Sequence, residues 1–455
     1  SGQQITSGLQ NTLIGALAGD ALTTGSNNVA IGYAALSTED TGHGSVAIGP
    51  FALQNQDGGN LYNVAIGFSA GEAITSGGFN TIVGGDAGDA LTTGNRNVAI
   101  GYEALSTEDT GARNVAIGEG SLRLLNYDGN GYNVAIGYDA GTTLSTGIQN
   151  TIIGGQAGDA LTTGYNNIAI GHNALTAEDT AGHNVAIGFE ALKAHNNDTA
   201  DSYNVAVGAK AGTAVTTGIY NVIMGGLAGD ALTTGNNNVV MGYEALSTED
   251  TTGGVVAIGY RALKFQNADS TSYNTALGYQ AGENVTTGSH NVIVGGLAGD
   301  ALTTGSNNVA IGRSALTTED TGSRTVAIGK SALGLQNYDG DTYNVAIGYE
   351  AGVSVTTGIQ NTIIGGLAGD ALTTGGNNVA VGYMALSGED AHGGNTAIGT
   401  SALRALDAGA DAYNVAVGNQ AGYTATTGID NVLVGAAAGY ALTTGEKNTA
   451  IGRYT

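Results

Sequence analysis

Residues 28–32 read Asn-Val-Ala-Ile-Gly, and a pentad of this form returns every 17 to 20 residues, in 26 copies between residues 11 and 452. The fifth place is Gly in every copy, and Asn opens 23 of the 26. Val or Thr and then an aliphatic residue occupy alternate places, which is the side-chain period of a β-strand. A short strand returning at a fixed interval predicts a stack of rungs that bury surface against their neighbours.

A longer period is superimposed on the pentads. The string Ala-Gly-Asp-Ala-Leu-Thr-Thr-Gly recurs at steps of 69 to 71 residues, so four rungs form one super-repeat, starting near residues 11, 80, 150, 221, 291, 361 and 431. Residues 1–10 are predicted to be a partial rung and residues 11–455 one continuous repeat domain. The predicted fold is an all-β parallel β-roll or β-solenoid of about 26 rungs.

Composition agrees with short strands joined by tight turns. The 455 residues include 79 Gly, one Pro and no Cys or Trp. A formal charge of -25 disfavours nucleic acid as a partner. No apolar run approaches the roughly 18 residues that span a bilayer, so we expect no membrane insertion by this segment. The lack of Cys excludes disulfides and thiolate metal sites.

Each rung is predicted to contain two strands. The pentad is the first, and its third place is also apolar, so both faces of this strand are apolar. The segment Ala-Leu-Thr-Thr-Gly or Ile-Thr-Ser-Gly is interpreted as a return strand, with Gly25, Gly77 and Gly94 turning the chain into the next pentad. Stacking would align the Asn side chains that open the pentads into an amide ladder.

The pentad, a small residue three places after its Gly, and a Gly turn into Asn before the next pentad together resemble the head repeats of trimeric autotransporter adhesins. The same motif appears in fibres of tailed phages, and it covers essentially the whole chain here. The resemblance implies a left-handed parallel β-roll, three chains about one axis and a role in surface attachment. The sequence departs from the adhesin pattern, since we expect no neck, coiled-coil stalk or membrane anchor within residues 1–455.

The strand that is apolar on both faces gives a separate physical reason for a homotrimer. A flat roll buries one face of the pentad inside itself and exposes the other as a long stripe, beyond what a monomer usually tolerates. Three copies around one axis would cover that stripe with closed symmetry. The pattern does not decide which face is turned outward.

No enzyme activity and no cofactor are predicted. Residues 67–71 fit the pattern of a hydrolase nucleophile elbow at Ser69, but the same place in later super-repeats holds residues such as Asp139 and Lys210, which indicates a variable surface position. The six His residues occupy different phases of the repeat, and we expect them in exposed turns.

A Thr-Glu-Asp turn or a close variant recurs once in each of the first six super-repeats. Solvated turns are the ordinary interpretation, and a ridge that binds divalent ions or a ligand is the alternative. The acidic pairs are Glu39-Asp40, Glu108-Asp109, Glu178-Asp179, Glu249-Asp250, Glu319-Asp320 and Glu389-Asp390.

The longest rung of each super-repeat carries an insertion that ends in Tyr directly before the next pentad. These loops are interpreted as plain surface turns, as recognition sites for a partner such as a cell-surface receptor or glycan, or as calcium sites. The candidate contact residues are Asp57, Tyr62, Tyr127, Tyr132, Asp201, Tyr203, Asp269, Tyr273, Tyr338, Tyr343, Asp411 and Tyr413. The calcium candidates are Asp128, Asp198, Asp339 and Asp341.

The predicted function is that of a non-enzymatic, extracellular or virion-borne fibre segment, a trimeric rod like an adhesin head that serves surface or host attachment. One alternative is a structural filament or sheath subunit that associates end to end. A second alternative is a soluble ligand-binding or ice-binding β-solenoid, suggested by Thr pairs such as Thr23-Thr24.

Overall fold

The chain folds into two compact units built in the same way. A computed structural model describes residues 1–198 and 201–455, which form unit 1, Ser1–Leu227, and unit 2, Ala228–Thr455. Every named element is a β-strand of three residues, and no residue of the described ranges is helical. Within those ranges there is accordingly no helix that could cross a membrane. The all-β prediction is confirmed.

Each unit contains thirteen strands, and each strand is the centre of one pentad. Unit 1 contains β1 Thr12–Ile14, β2 Val29–Ile31, β3 Val46–Ile48, β4 Val64–Ile66, β5 Thr81–Val83, β6 Val98–Ile100, β7 Val115–Ile117, β8 Val134–Ile136, β9 Thr151–Ile153, β10 Ile168–Ile170, β11 Val185–Ile187, β12 Val205–Val207 and β13 Val222–Met224. Unit 2 contains β14 Val239–Met241, β15 Val256–Ile258, β16 Thr275–Leu277, β17 Val292–Val294, β18 Val309–Ile311, β19 Val326–Ile328, β20 Val345–Ile347, β21 Thr362–Ile364, β22 Val379–Val381, β23 Thr396–Ile398, β24 Val415–Val417, β25 Val432–Val434 and β26 Thr449–Ile451.

Within each unit, consecutive strands pair in parallel and in register. In β2 and β3, for example, Val29 pairs with Val46 and Ile31 with Ile48. Equal places of successive pentads therefore lie above one another, because the chain returns to the same point after each rung. Each unit is a parallel β-solenoid, as the repeat spacing predicts.

The predicted return strand is wrong, since within residues 1–198 and 201–455 the pentad supplies the only strand of a rung. Thr75 still donates its backbone N–H to the Thr92 carbonyl at 2.9 Å in the next rung. The backbone is left-handed at the ninth residue of each complete rung, counted from the first residue of the pentad. This residue is Gly or Leu, as at Gly19 (φ 53°) and Leu36 (φ 50°). This conformation interrupts any extended run, so the second half of a rung is a series of turns.

The invariant Gly has a structural explanation at the end of every strand. Gly32 has φ 140°, a conformation that residues with a side chain rarely adopt. A Cβ on Gly32 would also lie 2.5 Å from the Gly49 carbonyl oxygen of the next rung. Stacked backbones approach so closely here that only Gly fits.

The core is narrow and is lined by small and aliphatic side chains. Ala30 in the third place of its pentad, Ala35 and Leu36 are completely buried. The Asn side chains form the predicted column, and some amides bond to one another, as Asn150 Nδ2 does by donating to Asn133 Oδ1 at 3.2 Å. Most of their hydrogen bonds, however, go to backbone groups. The Asn28 backbone N–H donates to Asn11 Oδ1 at 2.9 Å, and Asn28 Nδ2 donates to the Gly42 carbonyl of its own rung at 2.8 Å. Each Asn thus fastens the next rung through its backbone.

Candidate functional site

The outward face of the strands is aliphatic in both units. Val29 and Ile31, in the second and fourth places of their pentad, are half-buried, whereas Ala30 between them is buried. Some side chains in these places are more exposed, such as Ile66 at 38% and Leu277 at 45%. The narrow core accepts the third place, which is usually Ala, and this leaves the larger Val and Ile rows outside. We call this surface the strand face.

Two columns of side chains border the strand face. The leading column consists of the residue directly before each pentad, and the trailing column of the residue directly after each pentad Gly. Both carry exposed aromatic rings: Tyr62 (50%) and Phe79 (55%) in the leading column, Phe68 (54%) and Tyr102 (52%) in the trailing column. Rings of successive rungs can stack, as Tyr62 and Phe79 do with centroids 5.8 Å apart.

The residues predicted for recognition divide into two sets. Six tyrosines lie in the leading column and are 48% to 61% exposed: Tyr62, Tyr132, Tyr203, Tyr273, Tyr343 and Tyr413. Tyr127, Tyr338 and Asp201 are half-buried in the loops. The exposed loop carboxylates are Asp57, Asp128, Asp198, Asp269, Asp339, Asp341 and Asp411. Two residues of the third loop, Thr199 and Ala200, lie outside the described residues.

The proposed calcium ligands have protein partners of their own in two loops. Asp128 accepts a hydrogen bond from Thr110 Oγ1 at 2.9 Å, and this contact ties the loop to the preceding rung. The Asp341 carboxylate pairs with the Arg324 guanidinium. An arginine in direct contact competes with a cation for this carboxylate.

Acidic side chains come close enough to share an ion at other positions. Among the described residues, Glu39, Asp40 and Asp57 form one such group, with ligand atoms within 4.8 Å of one another. Glu389, Asp390 and His392 form a second. Of the predicted loop residues, only Asp57 belongs to either group.

The glutamates of the acidic turns are buried, and the expectation of solvated turns is wrong for them. Glu39, Glu108, Glu178, Glu249, Glu319 and Glu389 are all 0% exposed. Each occupies the place that aliphatic residues such as Leu22 and Ile74 hold in other rungs. Glu39 Oε1 accepts the backbone N–H of Gly42 at 2.6 Å and so closes the turn that follows. Backbone donors of this kind compensate a buried carboxylate.

The neighbour of each buried Glu in the next rung is of three kinds. Gln56 Nε2 donates to Glu39 Oε2 at 3.0 Å and to Ser45 Oγ at 3.0 Å, and equivalent donors reach Glu249 from Gln266 and Glu319 from Gln336. Leu125 and Leu406 occupy this place beside Glu108 and Glu389, and His195 occupies it beside Glu178. We call these arrangements the Gln sites, the Leu sites and the His site.

Burial raises the pKa of the glutamates in the Leu sites. Desolvation raises the pKa of the Glu108 carboxyl, against the lowering effect of the Tyr127 and Gly111 backbone N–H groups. Desolvation likewise raises the pKa of Glu389. Leu offers no hydrogen bond to the carboxylate, so backbone donors oppose the cost of burying the charge at Glu108. At Glu389 the His392 ring also contributes, since its Nδ1 lies 3.3 Å from Glu389 Oε1.

The His site contains a buried pair of ionisable groups. His195 Nε2 lies 3.3 Å from Glu178 Oε2, and both side chains are 0% exposed. Burial lowers the pKa of His195 to about 4, with the Thr216 backbone acting in the opposite direction. Burial also raises the pKa of Glu178. Both directions favour the uncharged pair, and the expectation that the histidines lie in exposed turns is wrong for His195.

Sequence reasoning missed the buried glutamates although their phase identifies them. Leu22, Glu39, Gln56 and Ile74 each lie eleven residues after the first residue of their pentad. Equal phase in a solenoid means one column, so Glu39 shares its place with core aliphatic residues. The adjacent Asp40, which is exposed, concealed this pattern by making the turn look uniformly acidic.

Comparison with other proteins does not place the chain in a family. No model of a known protein family matches it, and no curated protein matches it either.

Proposed function

We propose that this chain is a non-enzymatic segment of an extracellular or virion-borne fibre, in which three copies associate through their strand faces to form a rod for surface attachment. The aliphatic strand face carries this proposal. With two half-buried side chains on each of thirteen strands, it exposes on the order of 1,000 Å² in each unit, an area similar to one side of a stable protein interface. Monomers rarely leave an apolar patch of that size uncovered.

Three copies cover this surface economically. Around a threefold axis each copy has two neighbours, and it contacts one of them with each edge of its strand face. The three copies form a closed ring in which no strand face remains free. The strand backbone, the Gly stack and the Asn column supply stiffness along each unit, because successive rungs within a unit are hydrogen-bonded to one another.

The loops are the proposed contact points with the surface to which the fibre attaches. Exposed carboxylates such as Asp57, Asp128 and Asp269 recur once in each super-repeat, so three chains would present many copies of a similar group. Weak contacts repeated at fixed spacing combine into strong avidity.

Association is tested by the solution mass of the chain, measured by light scattering. We expect three times the chain mass of 44.9 kDa. Substituting Ile100→Arg and Ile170→Arg would place charges on the strand face and is expected to release single chains. The matched control, Thr93→Arg and Thr163→Arg, adds the same charge at exposed turn positions and should leave three chains together. Wild-type protein that remains a single chain would refute the proposal, and open-ended filaments would favour a structural polymer.

Attachment is tested separately with fluorescently labelled protein applied to intact bacterial and animal cells. Replacing Asp57, Asp128, Asp269, Asp339 and Asp411 by Asn removes five loop charges without changing side-chain size. We expect retention to fall about tenfold or more, because multivalent binding amplifies the loss at each loop. Retention equal to that of the wild type would contradict a role of these carboxylates.

A further inference from the structure

The acidic turn of the sixth super-repeat brings an imidazole ring to a buried carboxylate. His392 follows Glu389 by three residues, and its Nδ1 lies 3.3 Å from Glu389 Oε1. The Glu389 side chain is 0% exposed and the His392 side chain 28% exposed. Asp390 is exposed, and one ligand atom from each of the three residues lies within 4.8 Å of the other two. These side chains form a mixed histidine and carboxylate cluster with one buried member.

Backbone contacts hold this cluster in place. Glu389 Oε1 accepts the His392 backbone N–H at 3.0 Å, and Glu389 Oε2 accepts the Ala408 backbone N–H of the next rung at 3.2 Å. The Asp390 carbonyl accepts a hydrogen bond from Thr373 Oγ1 at 2.7 Å in the preceding rung. The His392 carbonyl accepts one from Asn378 Nδ2 at 3.2 Å. The fold therefore fixes the backbone of all three residues before any ligand binds.

The other five acidic turns provide an internal comparison. Each has the same Glu-Asp pair, but no imidazole follows it. The residues at the place of His392 are Gly42, Gly111, Ala181, Thr252 and Gly322.

The next rung also treats Glu389 differently from the glutamates of the Gln sites. Gln56 donates a hydrogen bond to Glu39, whereas Leu406 in the equivalent place offers Glu389 none. Two side chains that can carry or share a positive charge with a buried carboxylate are thus a Gln amide in one kind of turn and the His392 ring in this one. A cation held between Glu389 and His392 would compensate the buried charge.

We propose that Glu389, Asp390 and His392 bind a divalent transition-metal ion such as Zn²⁺. Zinc accepts imidazole nitrogen and carboxylate oxygen at about 2.0–2.2 Å, so two ligand atoms of a tetrahedral ion lie roughly 3.3–3.4 Å apart. His392 Nδ1 and Glu389 Oε1 are separated by 3.3 Å, which matches one edge of that tetrahedron. The inference does not depend on the association of copies, because one chain contains all three ligands.

The donor set favours a transition metal over calcium. Calcium takes six to eight oxygen ligands, whereas imidazole is a ligand for zinc, copper, iron and nickel. The exposed Asp390 carboxylate is free of the core and can turn towards an ion held by the other two residues. Three protein ligands leave a fourth tetrahedral position, which would be taken by water or by a donor atom of a bound partner.

Isothermal titration of the full chain with ZnCl₂, after removal of metal with a chelator, tests the site. We expect one tightly bound Zn²⁺ per chain. His392→Thr should weaken this binding about tenfold or more, because one of three ligands is lost. Thr occurs naturally at the same place as Thr252, so the variant should fold, which circular dichroism verifies. A folded variant that binds Zn²⁺ as tightly as the wild type, or a wild type that binds none, would overturn the proposal.

His290→Gln is the matched control, since it also removes one histidine. His290 is exposed in the leading column, and Gln149 and Gln360 hold the same place in other super-repeats. Zinc affinity should be unchanged in this variant. An equal loss of affinity in His290→Gln and His392→Thr would show adventitious binding to surface side chains and overturn the site.

A second site should be obtained by transplanting the histidine. Glu249 Oε1 accepts the Thr252 backbone N–H at 2.9 Å, as Glu389 Oε1 accepts that of His392. We expect Thr252→His to raise the number of tightly bound zinc ions from one to two. A folded variant that still binds one ion would contradict the assigned ligands.

Thermal unfolding gives an independent measurement. An ion that binds only the folded chain stabilises it by mass action, so the unfolding temperature of the wild type should rise with Zn²⁺ concentration more than that of His392→Thr. About a hundredfold excess of Ca²⁺ should not abolish this difference, because calcium prefers oxygen ligands. Equal shifts in both proteins, or displacement of Zn²⁺ by Ca²⁺, would overturn the assignment of a transition-metal site.

Discussion

Glu39 and Glu108 occupy the same place in successive super-repeats of unit 1, yet the next rung meets them with different chemistry. Glu39 receives a hydrogen bond from Gln56, whereas Glu108 faces Leu125. The first residue of the intervening pentad changes as well. It is Ser45 in the rung that contains Gln56 and Asn114 in the rung that contains Leu125.

This difference shows how a buried charge and its surroundings compensate one another. Gln56 satisfies three buried groups at once, because it donates to Glu39 and Ser45 and accepts from Asn63 Nδ2 at 2.9 Å. In the Leu site, Asn114 Nδ2 is buried and has no hydrogen-bond partner. Equivalent places in one chain thus differ in how many of their buried polar groups are hydrogen-bonded. Substitutions can convert one kind of site into the other.

The largest effect is expected from Gln56→Leu, which places a Leu neighbour beside Glu39 without the matching Asn. The substitution leaves Glu39 Oε2 and Ser45 without their donor, and should lower the free energy of unfolding by about 2–3 kcal/mol. Urea denaturation followed by circular dichroism measures the loss. The double variant Ser45→Asn/Gln56→Leu recreates the Leu site and should recover part of it. No recovery would mean that the two residues do not act together.

The stability contributed by the His site should change in acid more than the stability contributed by the Gln sites and the Leu sites. With its pKa lowered to about 4 in the folded protein, His195 binds protons more readily when unfolded, so its contribution is present above pH 6.5 and is lost as pH falls towards 4. The raised pKa of Glu178 acts in the opposite direction. NMR titration should give a midpoint near pH 4 for the His195 ring. A midpoint near 6.5 would show that the ring is hydrated or stably paired with a charged Glu178.

A moderate gain is expected from Leu125→Gln, which supplies Glu108 with a side-chain donor equivalent to the one that Gln56 supplies to Glu39. We expect the free energy of unfolding to rise by about 1 kcal/mol at neutral pH, the net value of a buried hydrogen bond. Leu144→Gln is the matched control, since it puts the same amide at a buried place of the column flanked by Leu125 and Leu161. That control should destabilise the protein. Equal effects of Leu125→Gln and Leu144→Gln would show that a Gln is not specifically favoured next to a buried Glu.

The smallest effect is expected from Glu108→Gln, which should change how the stability of the protein depends on pH. Because burial raises the pKa of Glu108 from its ordinary value of 4.5, the stability due to this site is fully present at acid pH and declines as pH rises through the raised pKa. Gln does not ionise. The stability of the wild type relative to the variant should therefore decrease between pH 4 and pH 7, as measured by thermal unfolding. A constant difference would indicate that the carboxyl is not perturbed.

The regular parts of the fold were predictable because they depend on local geometry. Val29 and Ile31 on one face of a strand, Gly32 after it and Asn28 before it recur often enough to identify the rung and its position in the stack. The return strand predicted from the Thr-rich segment does not form, since left-handed residues such as Leu36 end the extended conformation. A Leu with positive φ has no sequence signature of its own, because neighbouring rungs stabilise it.

The candidate sites likewise include features that follow from spacing along the chain and features that depend on neighbouring rungs. The sequence by itself determined the rung period, the four-rung super-repeat and the loops with their exposed aspartates, because each follows from spacing along the chain. Only the tertiary structure decided that Glu39 is buried and that the Val and Ile rows face outward. Those properties depend on the rungs above and below and on the narrow width of the core, and no single rung of the sequence contains them.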